Sequence, residues 1–138
     1  MASNSTFVLV SFLFRSCFVF VRSLSLLSRY SLVTLCRYRG VLCMDAHTTA
    51  RLNDCTMHHN GQAGLNAYAR AVVELHGTKT DIHSNKMNGV LADLEGAVKI
   101  HLPAQHNTSH DNGKENRVQS FGGSIANINA DGTFTHVV

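Results

Sequence analysis

At 138 residues, with 44% apolar and 15% charged, the chain has room for one domain and too much apolar content for general disorder. The formal charge of +3 is uneven: residues 1–44 carry five arginines and no acid, and residues 45–138 carry seven Lys or Arg against nine Asp or Glu. The basic balance therefore belongs to the N-terminal segment and gives no ground for a nucleic-acid partner.

Residues 1–44 read as a leader outside the fold. Its apolar runs are broken by Arg15, Arg22 and Arg29, spaced seven apart, which on a helix would make one basic stripe. The longest charge-free stretch, Met1–Phe14, is shorter than the ~20 apolar residues a simple membrane span needs. An Arg-rich, Ser-rich, acid-free start fits an organellar transit peptide or an interfacial membrane helix. A secretory signal centred on Phe7–Phe14 would lack its leading basic residue, and a non-native upstream extension is the remaining reading. The expected location is organellar or membrane-associated if the segment is genuine, and soluble intracellular otherwise. The cysteines, Cys17 and Cys36 in the leader and Cys43 and Cys55 in or beside the repeats, match no metal knuckle or CxxC spacing and read as free thiols.

From about Thr48 to Asn112 the chain repeats itself every 23 to 27 residues. Ala50-Arg51-Leu52, Val73-Glu74-Leu75 and Val98-Lys99-Ile100 share an apolar, charged, apolar order. Met57-His58-His59-Asn60, Ile82-His83-Ser84-Asn85 and Ser109-His110-Asp111-Asn112 follow, and then Gly64-Leu65-Asn66-Ala67 and Gly89-Val90-Leu91-Ala92. Each period thus holds short pieces with two-residue alternation, too short for helices and separated by bend-forming residues. Strands of this kind pair with their equivalents one coil on, ~4.8 Å away, as a parallel β-helix.

The inward columns are then Ala50, Val73 and Val98; Leu52, Leu75 and Ile100; Met57 and Ile82; Leu65 and Val90. On the outside, Arg51, Glu74 and Lys99 stack as plus, minus, plus, and Arg70 falls on Glu95. A register chosen on apolar residues alone therefore also matches the charges. Asn60, Asn85 and Asn112 recur at one bend, where asparagine tolerates a left-handed backbone and can share side-chain hydrogen bonds as a ladder. The third coil decays: it contains Pro103, so Leu102–Asn107 reads as a bulging loop, and Gly113–Ser120 as polar loop. Asp131-Gly132 between two alternating segments signals a turn, so the C-terminal stretch is a final coil or a hairpin cap, ending without a polar cap.

Met57-His58-His59-Asn60-(x)3-Gly64-Leu65 and Ile82-His83-Ser84-Asn85-(x)3-Gly89-Val90 resemble the right-handed parallel β-helix repeat of pectin-lyase-like proteins. The resemblance spans about 65 residues and implies an all-β fold: a short right-handed parallel β-helix of about three to four coils over residues 45–138, preceded by the apolar, Arg-containing segment. It says little of activity, since the fold carries lyases, hydrolases, epimerases and non-catalytic domains alike. Family enzymes are usually longer, so the chain resembles a fragment or a minimal array.

No catalytic constellation emerges from the residues. Asp81, Asp93 and Glu95, the acids a polyuronate lyase would use for calcium, do not cluster in the repeat register with the bases Arg70, Lys79 or Lys99. A glycosidase carboxylate pair is not identifiable. His58, His83 and His110 form one outward column and His76 and His101 another, but copying a coil copies its histidine, so repetition accounts for them without a metal or other cofactor. Asn4-Ser5-Thr6 and Asn107-Thr108-Ser109 match the glycosylation sequon, which matters only in the secretory path. The expectation is a non-catalytic repeat domain whose histidine-bearing outer faces bind a protein or glycan partner. The alternatives are a fragment or divergent member of a carbohydrate-active β-helix enzyme, or a truncated product.

Overall fold

The computed structural model describes residues 19–22, 25–29, 32–34, 36, 38–101 and 109–136. Within these the chain is all-β and contains no helix. Three strands build each coil. β1 (Val19–Arg22), β2 (Ser25–Arg29) and β3 (Leu32–Thr34) are followed by β4 (Val41–Met44), β5 (Thr49–Asn53) and β6 (Thr56–His58). The next coil is β7 (Leu65–Tyr68), β8 (Val72–His76) and β9 (Asp81–His83), and the one after begins with β10 (Val90–Asp93) and β11 (Ala97–His101). The chain ends with β12 (Arg117–Gln119), β13 (Ser124–Ile128) and β14 (Phe134–His136).

Equivalent strands pair in parallel to give three sheets, ordered β1-β4-β7-β10-β12, β2-β5-β8-β11-β13-β14 and β3-β6-β9. The third sheet gains a further rung through a parallel bridge from His83 to His110. The result is a parallel β-solenoid of about three turns.

The core is the inside of this coil. Val73 pairs with Ala50 and Val98, Leu75 with Leu52 and Ile100, Met57 with Ile82, and Leu65 with Val90. Each of these side chains is buried, so the inward columns fall where alternation placed them. Outward, Glu74 pairs with Arg51 on one side and Lys99 on the other. At the next corner the Arg70 amide donates to the Leu94 carbonyl at 3.0 Å, keeping coils 25 residues apart in step.

The bend after each third-sheet strand is held by an asparagine ladder. The Asn60 side-chain amide donates to Asn85 Oδ1 at 2.9 Å, and Asn85 donates in turn to Asn112 Oδ1 at 2.9 Å. The same oxygens accept the backbone N–H of Asn60 and Asn85, at 3.1 and 3.0 Å. The Cys36 N–H adds to one end by donating to Asn60 Oδ1 at 3.1 Å, and Asn112 Nδ2 donates to Asn116 Oδ1 at 3.0 Å at the other. The left-handed residue at this bend is not the asparagine itself but the one before it: His59, Ser84 and Asp111 have φ of 55°, 52° and 49°. The asparagine is instead required for its amide, which is both donor and acceptor along the stack.

That ladder also explains the recurring glycine. A Cβ on Gly64 would stand 2.7 Å from Asn85 Nδ2 and 2.6 Å from Ile82 Cγ2, and one on Gly40 would stand 2.7 Å from Asn60 Nδ2. The glycine of one coil makes room for the ladder asparagine of the next.

Two features depart from the sequence reading. The parallel ladder begins upstream of residue 45: β4 pairs with β7, with Val41, Cys43 and the preceding Cys36 buried in the core. Its Val-Leu-Cys-Met sequence has no polar alternation to set it apart from the apolar leader. Next, Arg117–Gln119 is a strand rather than loop, paired with β10 as Val90↔Arg117 and Ala92↔Gln119. Its polarity is inverted, because the inward positions hold Arg117 and Gln119 while Val118 aligns with outward Leu91. Gln119 Oε1 accepts from the Ile125 N–H at 2.7 Å. Val137 and Val138, where the sequence reading expects the chain to stop without a polar cap, lie outside the described residues.

The last segment is both coil and hairpin: β13 continues the parallel sheet, and β14 folds back antiparallel on it through Asn129–Thr133, with Gly132 at φ 83°. Cys36, Cys43 and Cys55 are buried, and burial pushes the Cys43 thiol up to about 12. Residues 1–18, on which most of the targeting reading rests, and the Leu102–Asn107 loop with both sequon asparagines lie outside the described residues. Among the described residues no helix is long and apolar enough to cross a membrane.

Candidate functional site

Two histidine columns dominate the outer surface, and both arise from strand alternation. In β6 and β9 the middle residue, Met57 or Ile82, points inward, so His58 and His83 point out and the parallel register stacks them. Their ring centroids lie 4.9 Å apart at 7°, and His83 continues to His110 at 5.3 Å and 11°. His59 stands edge-on beside His58, the two Nδ1 atoms 2.5 Å apart. At the far end His110 is clamped between two carboxylates, with Nε2 2.8 Å from Asp81 Oδ1 and Nδ1 2.9 Å from Asp111 Oδ2. Those bonds to Asp111 and Asp81 hold His110 above the ordinary 6.5 against partial desolvation. His58 is pulled below 6.5 by desolvation first, then by the neighbouring imidazoles of His83 and His59. The column is thus polarised, with protonation favoured at its His110 end and disfavoured at its His58 end.

The second column lies on the second sheet. His76 ends β8 and His101 ends β11, and their rings stack at 4.1 Å and 14°. Glu74 is two residues before His76 and so shares its outward face. Its Oε2 is 3.7 Å from His76 Nε2, and its Oε1 is 3.8 Å from His101 Nε2. Burial lowers the His76 pKa, and the neighbouring His101 imidazole and Arg51 add to this, together outweighing the carboxylate beside it.

The structure thus brings His58, His83 and His110 together, and likewise His76 and His101, while keeping the two groups on different sheets. Asn60, Asn85 and Asn112 hydrogen-bond to one another along the bend. The acids considered for calcium remain apart. Asp81 starts β9 and is bonded to His110, whereas Asp93 ends β10 and accepts from Ser120 Oγ at 2.8 Å and from the Leu94 N–H at 2.9 Å. Glu95 sits beyond it at a left-handed corner, φ 61°.

Sequence reasoning missed Glu74 as a partner of the second histidine column. The signal was available as Glu-x-His within one strand, but Glu74 had been assigned to the Arg51–Glu74–Lys99 charge column. It also missed Asn66, which is fully buried on the outer side of β7, paired with Leu42 and Leu91, with neither amide atom hydrogen-bonded. No family model, curated protein or solved structure matches the chain.

Proposed function

We propose that the chain is a non-catalytic binding module, a right-handed β-helix domain of the pectin-lyase-like kind, whose stacked outer face binds a protein or glycan partner. The observation that carries this reading is the His58–His83–His110 column, a flat run of near-parallel rings at 4.9 and 5.3 Å with carboxylates at one end. The stacked rings cover one another's faces and leave their edges outward, and these edges and the neighbouring acids offer hydrogen bonds to a partner. Such a surface is extended rather than concave, which suits a solenoid that binds along its length. The separation of Asp81 from Asp93 and Glu95 weighs against a calcium-assisted lyase, which would gather them around one ion.

The test is binding of the full chain to a panel of neutral and acidic glycans and to candidate protein ligands, alongside His83→Ala, with cleavage of polygalacturonate in calcium followed in parallel. The proposal expects a ligand whose binding falls with His83→Ala and no cleavage. Calcium-dependent cleavage would establish the enzyme reading in its place.

A further inference from the structure

We propose that Glu74, His76 and His101 form a binding site for a divalent transition metal of the zinc type, bridging two successive coils. The three side chains each offer one ligand atom, and these atoms lie within 4.8 Å of one another. The two Glu–His separations, 3.7 and 3.8 Å, compare with the ~3.4 Å between ligand atoms around a tetrahedral ion with bonds of ~2.0–2.1 Å. Those two separations run to different carboxylate oxygens and the ligand atoms as a set lie within 4.8 Å, so side-chain rotation must draw them in by up to roughly 1.4 Å to reach the tetrahedral spacing.

Repetition explains why His76 lies over His101, but not why a carboxylate faces both. Glu74 is unique to its coil, since the equivalent positions are Arg51 and Lys99. Nor does repetition explain the state of the ring nitrogens: both Nε2 atoms are buried and have no hydrogen-bond partner. Leaving such atoms unpaired costs free energy that a metal bond would recover. The donor set selects the ion. Two imidazole nitrogens and one carboxylate suit zinc and its neighbours, whereas calcium and magnesium prefer oxygen throughout. Three protein ligands leave a fourth position for water or for a donor from a bound partner.

Two features limit the affinity. Stacked rings direct their lone pairs side by side, so binding requires rotation about the terminal torsion, which is broad for histidine. Arg51 and Lys99 flank Glu74 in register, and their charge opposes a dication. The site is therefore weaker than a closed four-ligand zinc site. It is bounded by Asn53, in register with His76, and Ile128, in register with His101, so among the described residues the imidazole column does not continue in register on either side.

The experiment is titration of the full chain with Zn(II) against a chromophoric chelator, with Co(II) as the optical probe. Glu74→Gln and His101→Ala are compared with His83→Ala from the other column. The expected result is one equivalent that gives Co(II) visible absorption and raises the thermal midpoint, because it binds only the folded chain. Glu74→Gln and His101→Ala each weaken it by about a hundredfold or more, the upper end of what losing a mere supporting partner costs. His83→Ala leaves it unchanged. Absent binding, binding insensitive to Glu74→Gln, or binding that falls equally with His83→Ala overturns the assignment. Glu74 is solvent-facing, so its amide variant keeps the fold; matching circular dichroism spectra check this.

Discussion

Removing the middle rung of the asparagine ladder, Asn85→Ala, is a sharp perturbation of what fixes one coil on the next. Asn85 is 1% exposed, and its side chain makes four bonds: Oδ1 accepts from the Asn60 N–H and Asn60 Nδ2, at 3.1 and 2.9 Å, and Nδ2 donates to the Met57 carbonyl and Asn112 Oδ1, at 3.1 and 2.9 Å. Asn112 keeps other partners near the surface, whereas the buried Asn60 loses the Asn85 oxygen that accepts from both its backbone N–H and its side-chain amide. At ~1–3 kcal/mol for a buried group deprived of its partner, the lost bonds together cost about 2–3 kcal/mol. Against a total stability of ~5–15 kcal/mol this is a large share. Urea unfolding followed by β-type circular dichroism measures it, with Asn112→Ala as the half-exposed comparison, expected to lose less. A loss below ~1 kcal/mol for Asn85→Ala, or equal losses for the two, would refute the ladder as the fastening of the coils.

Other expectations follow from the same geometry. Gly64→Ala drives a methyl into the Asn85 amide and Ile82 and lowers stability by the ~1–3 kcal/mol typical of overpacking, read as a lower urea midpoint; an unchanged midpoint would contradict this. Leu75→Asp places a charge in the central inward column and abolishes folding; an unchanged β-type spectrum would refute the register. Asn66→Leu replaces a buried, unbonded amide by an apolar side chain between Leu42 and Leu91 and raises stability by about 1 kcal/mol or more; a lowered unfolding midpoint would show that the amide has a partner.

In an NMR titration His110 has its midpoint above 6.5 and His58 below it, and Asp111→Asn lowers the His110 value. The signs oppose each other. The His110 contribution to stability is complete below 6.5 and is lost as pH rises through its raised folded pKa, whereas the His58 contribution is present above 6.5 and is lost as pH falls through its lowered one. Coincident midpoints would contradict the polarised column.

Wherever a side chain's role follows from period and alternation, the sequence suffices to place it. Val73 and Leu75 point inward because Arg51, Glu74 and Lys99 between their columns cannot, and one register satisfies both sets. Roles set by contacts outside that pattern are hidden. The need for glycine at position 64 comes from an asparagine 21 residues later in the chain, on the next coil. β12 is concealed because its inward positions are Arg117 and Gln119, so alternation runs out of phase where the core ends. β4 is concealed for the opposite reason, an apolar run merging into the apolar segment before it. The histidine columns were legible as columns, but the carboxylate contacts that cross from coil to coil were not. Asp81 reaches His110 from the preceding coil and Glu74 reaches His101 across one, distances in chain that no local motif spans.

Every surface column, and both proposals built on them, exists only if each coil lies on the next in the register of Ala50, Val73 and Val98. Methyl–methyl NOEs test this directly. The account predicts that Val73 shows cross-peaks to both Ala50 and Val98, and Leu75 to both Leu52 and Ile100. Cross-peaks shifted by one or two residues, or a pattern joining Val73 to one neighbour alone, would contradict the stacked parallel coil.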